Sequence, residues 1–163
     1  MTPEERADHN VPAVISGEKE TLLSFLGYLR ASVDRKVAGL SEDDARRPLV
    51  ASGTTLLGIV KHLAFVEVYW AQRRFAGSDV ALTGDGFALD PTDTVESVRQ
   101  EYVQAAERTD EIVGRCPDLE QPLARGRHGL TLRWMLAHLV EETARHAGHA
   151  DILRELVDDQ TGR

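Results

Sequence analysis

Glu142 and His146 stand four residues apart in the stretch Glu141-Glu142-Thr143-Ala144-Arg145-His146-Ala147-Gly148-His149-Ala150-Asp151, and together they carry the clearest chemical potential in this chain. On a helix turning about 100° per residue they lie about 40° apart, stacked one turn above the other on one face. A carboxylate beside an imidazole is a pair of potential metal ligands. His138 and His149 fall within about 60° of Glu142 by the same count, so the face holds more ligand-type groups than packing requires. By spacing alone a solvated pair is the more ordinary reading. A catalytic metal centre needs a third protein ligand, and its fourth position is left to water or substrate.

The elements that must position these groups are helical. Leu22, Leu23, Phe25, Leu26, Leu29, Val33, Val37 and Leu40 recur at three- and four-residue intervals, which predicts a first long helix over 18–39. Ser41 followed by Glu42-Asp43-Asp44 reads as a capped start with acids in the first turn, and Pro48 limits that helix to a short one. Ser52-Gly53-Thr54-Thr55 caps a second long helix, expected over about 54–75 with His62 in its middle; Gly77 ends it. Residues 77–92, with Gly77, Gly84, Gly86 and Pro91, read as a long crossover loop. Asp93 and Thr94 can cap a third long helix to about Arg115. Pro117, Pro122, Gly126 and Gly129 punctuate a second loop, after which Thr131 caps a fourth, to about Val157. Residues 1–17 are expected to form an arm, and 158–163 a polar tail.

Four such segments, with no period-2 alternation and no internal repeat, give an all-α four-helix bundle over 1–163. Bundles of this kind build metal sites from facing helices, and His62 is the available third ligand. Taken alone, His62 is more often a partly buried structural residue than a ligand.

Composition narrows the function classes. The formal net charge of −8, with no basic stripe against it, argues against a nucleic-acid partner. One cysteine, Cys116, can form no internal disulfide. The opening residues lack a basic and an apolar region in signal-peptide order, and no apolar run approaches a membrane span, so a cytoplasmic protein without a membrane partner is expected. Arg145 and Asp151 read as ordinary helix-surface charges, Tyr69, Trp70 and Trp134 as packing residues, and Cys116 as an incidental thiol. His9 and His128 carry no assignable role.

The words Ser52-Gly53-Thr54-Thr55-Leu56-Leu57-Gly58-Ile59-Val60-Lys61-His62-Leu63-Ala64 and Glu142-Thr143-Ala144-Arg145-His146-Ala147-Gly148-His149-Ala150-Asp151-Ile152-Leu153-Arg154-Glu155 resemble the DinB-like superfamily, in the branch related to mycothiol-dependent maleylpyruvate isomerase. The likeness spans residues 18–157. It implies a four-helix bundle whose divalent ion is held by a His of the second long helix and by a pair four residues apart on the last. Most DinB-like proteins have His at both of those positions; Glu142 departs from that and matches the His, Glu, His set of the isomerase. The resemblance therefore implies His62, Glu142 and His146 as ligands, with His149 and His138 as second-shell candidates. It also implies a thiol-dependent transferase or isomerase-like activity, in which a small thiol such as mycothiol attacks a small electrophile. The isomerase's second, C-terminal domain is not expected here. Zinc is the default ion, and Ni²⁺, Fe²⁺ and Mn²⁺ accept the same donor set. Relatives often form homodimers, to which the arm can contribute. A metal-binding protein without catalysis is the alternative.

Overall fold

Hydroxyl side chains start four of the helices. Ser41 accepts a hydrogen bond from Asp44 N at 3.1 Å, Thr55 from Gly58 N at 3.0 Å, Thr94 from Ser97 N at 3.0 Å and Thr131 from Trp134 N at 3.5 Å. Each satisfies a first-turn N–H that has no partner within its own helix. Thr94 and Ser97 reciprocate, forming a capping box. The computed structural model describes residue 12 and residues 17–126 and 129–161. The arm expected over 1–17 lies outside them apart from Pro12 and Gly17, as do His9, His128 and the final two residues.

Five α-helices follow among the described residues: α1 (Glu18–Val37), α2 (Glu42–Arg46), α3 (Leu56–Glu67), α4 (Val95–Gly114) and α5 (Leu132–Asp158). The four long ones form the expected all-α bundle, and no described helix is long and apolar enough to cross a membrane. α1 packs most extensively against α5 and α3 against α4, while α3 and α5 meet along a shorter line. Residues 76–94 make the long crossover.

The second long helix departs from expectation. A continuous α-helix to residue 75 is predicted by periodicity, but α-geometry stops at Glu67 and Val68–Phe75 is π-helical, closing with Ala76 N donating to Ala71 O at 2.9 Å. Wider closure turns each residue through less than 100°. Trp70 and Arg74, which a regular helix would carry about 80° and 120° away from His62, swing back toward the α5 side. There Trp70 meets the rings of Trp134 and His138. Backbone bonds from Ala124 and Arg125 to the carbonyls of Phe75 and Arg74 hold the end of this segment against the loop before α5.

The core is divided. One apolar cluster gathers Val33, Leu57, Val60, Tyr102, Ala150 and Leu153; the other gathers Leu26, Val66, Phe75, Val113, Leu136 and Leu139. Between them each long helix supplies a buried polar residue: Arg30, Glu67, Thr109 and Thr143. Arg30 binds Glu67 through both carboxylate oxygens, at 2.7 and 2.9 Å, and reaches Asp110 at 2.8 Å. Burial alone would lower the Arg30 pKa, but Glu67 and Asp110 outweigh it and hold the guanidinium charged. A charged pair of this kind is costly to bury and costlier to break.

Glu67→Ala leaves Arg30 buried without its main counter-ion, and should cost about 3–5 kcal/mol of stability. Chemical denaturation of the two proteins measures it; a loss below about 1 kcal/mol, the value of a surface pair, would show that the pair does not organise the core.

Candidate metal centre

His62 and the Glu142–His146 pair reach one another because both ligand-bearing helices are pinned on either side of the polar layer. Leu57, Ile59, Val60 and Leu63 bury the α3 faces flanking His62, and Leu139, Thr143, Ala147 and Ala150 do the same on α5. The three side chains form a group whose donor atoms all lie within 4.8 Å of one another, the only such cluster of His, Cys, Asp or Glu among the described residues. His62 Nε2 and His146 Nε2 each stand 3.2 Å from the same oxygen, Glu142 Oε1. Two ligands at about 2.1 Å from one ion lie about 3.0 Å apart at a 90° angle and about 3.4 Å at the tetrahedral angle. The observed spacing sits between those values.

Proton bookkeeping gives an independent fit. His62 Nδ1 faces the carbonyl oxygen of Asp85 at 2.5 Å. A carbonyl only accepts, so Nδ1 carries the hydrogen, and the neutral tautomer presents a lone pair at Nε2. That lone pair points at a carboxylate oxygen, itself only an acceptor. A proton or a cation belongs between them, and His146 approaches the same oxygen from a second direction. Burial, followed by the neighbouring His62, lowers the His146 pKa below its ordinary value, so this ring is neutral near pH 7. Its Nδ1 is buried with no hydrogen-bond partner among the described residues. Burial pushes the Glu142 carboxyl up, but its neighbours His62, His146 and Arg145 together outweigh burial and hold it below the usual range. An anionic carboxylate and neutral imidazoles are the ligand forms of these groups, and one divalent cation satisfies the whole set.

The crossover loop finishes the site. Besides the Asp85 carbonyl it contributes Phe87, whose ring stacks on His62 at 3.9 Å and 11° and lies 5.6 Å from His146. Gly86 between them has φ +82°, and a Cβ there would sit 2.6 Å from Phe65 Cβ and 3.0 Å from His62 Cα. Only glycine permits that backbone and that approach. Periodicity identifies this segment as a connection and nothing more. The signal available in the sequence is the word Gly84-Asp85-Gly86-Phe87, an aromatic residue directly after two closely spaced glycines.

The remaining candidates lie around the cluster without joining it. His149 is exposed, with its ring edge against His146 at 5.3 Å. His138, one turn before Glu142, stacks on Trp134 at 5.1 Å and 22°, with Nδ1 3.6 Å from Glu141. Arg145 pairs with Glu141 and approaches Glu142 at 3.5 Å. Asp151 pairs with Lys36. The ligand side chains of His62, Glu142 and His146 remain 11%, 14% and 10% exposed, so an ion among them would have a solvent-facing side.

Comparison with known proteins adds two findings. A family model described as mycothiol S-transferase matches residues 21–159. A conserved protein of Enterococcus faecalis, whose crystal structure is known, is similar in fold, with a TM-score of 0.60 at 13% identity over 89% of this chain and 99% of that one. No curated protein matches the chain.

Two outcomes test the centre. Gly86→Ala should displace the Asp85 carbonyl from His62 and weaken metal binding about 10- to 100-fold, the usual effect of losing a ligand's hydrogen-bond partner; chelator competition measures it, and an unchanged affinity would remove the loop from the site. Because the folded pKa values of His146 and Glu142 lie below 6.5 and 4.5, protons compete with the ion at those two ligands only below these values. Metal content after dialysis at stepped pH should therefore decline on the acid side, with no decline between pH 7 and 8.

Proposed function

Since the chain belongs to the mycothiol S-transferase family, a DinB-like family, we propose that it is a metal-dependent S-transferase joining a low-molecular-weight thiol of the mycothiol type to a small electrophile. His62, Glu142 and His146 hold one divalent ion, with zinc the default. The observation that carries this reading is the donor set: three ligand-form side chains on two helices, with no fourth donor from the protein among the described residues. Three protein ligands and one open position is the pattern of a catalytic rather than a structural centre.

The ion, when bound, acts as a Lewis acid that favours the thiolate over the thiol near neutral pH, and the thiolate is the nucleophilic form. The chain's own residues do the rest. Asp85 O fixes the tautomer and plane of the His62 ring, so that Nε2 is turned inward. Phe87 closes one side of that ring against water. Glu142 brings one negative charge to the centre, so the ion keeps a net positive charge and its pull on an incoming thiol. Arg145, 3.5 Å from Glu142 Oε2, limits that carboxylate's basicity.

A non-catalytic ion tying α3 to α5 is the competing reading, and the near-burial of all three ligands favours it. Turnover separates the two. Metal-loaded protein, mycothiol and a panel of electrophiles should show thiol consumption that disappears on chelation, returns on reloading, and is lost in His62→Ala. Absence of consumption across a broad panel, with stoichiometric ion bound, would leave the structural reading standing.

A further inference from the structure

Along α5 the residues Trp134, His138, Glu142 and His146 fall at successive four-residue steps, so one face runs from the metal centre to a cluster of aromatic rings. Trp70 packs against Trp134 at 5.1 Å and against His138 at 4.9 Å. Trp134 and His138 are nearly parallel. Tyr69 stands edge-on to Trp70 at 5.2 Å and stacks on Phe65, three residues from His62. Trp134 is nevertheless 40% exposed. Core packing covers aromatic rings; here a large one stays partly exposed at one end of a cluster of rings, two helical turns from Glu142.

The platform is held from behind. The Arg74 guanidinium lies 5.1 Å from the Trp70 ring and 5.5 Å from the Tyr69 ring. It donates to Tyr69 Oη at 2.7 Å and to Arg125 O at 2.8 Å. Its described partners are neutral and structural, so it braces the rings rather than serving a carboxylate. The π-helical segment Val68–Phe75 sets this arrangement. Rigid, prearranged rings bind flat ligands without an ordering cost.

We propose that this platform is the acceptor subsite, and that its ligand is a planar, electron-poor π-electrophile such as a quinone. Indole faces are electron-rich and stack best on electron-poor rings. His138, against which Trp134 stacks, is one helical turn from Glu142, and Trp134 is two. The inference rests on the transferase reading for its second substrate, the thiol. In the addition, the sulfur electron pair forms a C–S bond to a ring carbon and the C=C pair moves through the ring to a carbonyl oxygen. The thiol proton and the displaced ring proton end on the two oxygens. The product is a thioether-substituted hydroquinone, with no external oxidant or reductant required.

The chain's two tryptophans are both in this cluster, so intrinsic fluorescence reports on it alone. The binding probe is 2,3-dimethyl-1,4-naphthoquinone, whose addition positions are blocked, titrated into metal-loaded protein with absorbance correction. Quenching should saturate in the wild type, shift at least about tenfold to higher concentration in Trp134→Ala, read through Trp70, and recover in Trp134→Phe. In turnover, Trp134→Ala should raise KM for 1,4-naphthoquinone by a similar factor with metal content retained, and Trp134→Phe should bring KM back. Linear, unsaturable quenching, or equal affinity in Trp134→Ala, overturns the proposal. Thiol consumption without saturable binding sinks the subsite and spares the transferase reading; saturable binding without consumption of any thiol does the reverse.

Discussion

The Arg30–Glu67 pair constrains everything built on α3. A bidentate ion pair with both partners almost fully buried has one geometry that satisfies it, and sliding α1 past α3 by a residue would strand two charges in the core. Apolar side chains tolerate small shifts of register; this pair does not. With Asp110 it also ties in α4, so three helices are locked at one level. His62 lies five residues before Glu67, between that lock and the capped start of the helix at Thr55. Its position facing α5 therefore follows from a polar contact that is no part of the centre itself.

At the centre the governing fact is charge placement. Two imidazole nitrogens and a carboxylate oxygen, arranged with 3.2 Å contacts, hold more lone pairs than protons. The Asp85 carbonyl makes this deficit firm by fixing where the His62 hydrogen sits. The crossover loop thus takes part in the site through its backbone, which explains why a glycine at φ +82° is pressed against His62 and Phe65.

How much of this is legible in the sequence depends on the range of the interaction. Caps are local, so Ser41, Thr94 and Thr131 are readable directly, and Thr55 falls within the word read as a cap. Long helices announce themselves by period, and Glu142 with His146 by their spacing. His62 is singled out only when the family likeness joins the two motifs, because nothing local distinguishes a ligand from a structural histidine. Arg30 and Glu67 are hidden for a related reason: each reads as a surface charge on its own helix, and the pair exists only across helices 37 residues apart in sequence. The π-helical turn is not readable at all from apolar periodicity, since packing of Trp70 against α5 and the backbone bonds to residues 124 and 125 help to set it. Tyr69, Trp70 and Trp134 look like core residues by composition; partial exposure at one end of the stack is a tertiary property.

His62 and Glu142 are 80 residues apart in the chain. At about 5–20 residues per second of synthesis, roughly 4–16 s separate the appearance of the first donor from that of the second. Until the last helix has emerged, the growing chain holds only His62 of the three side chains that meet at the centre, so the set is incomplete. An ion held by all three side chains would therefore be taken up only after the last helix has emerged.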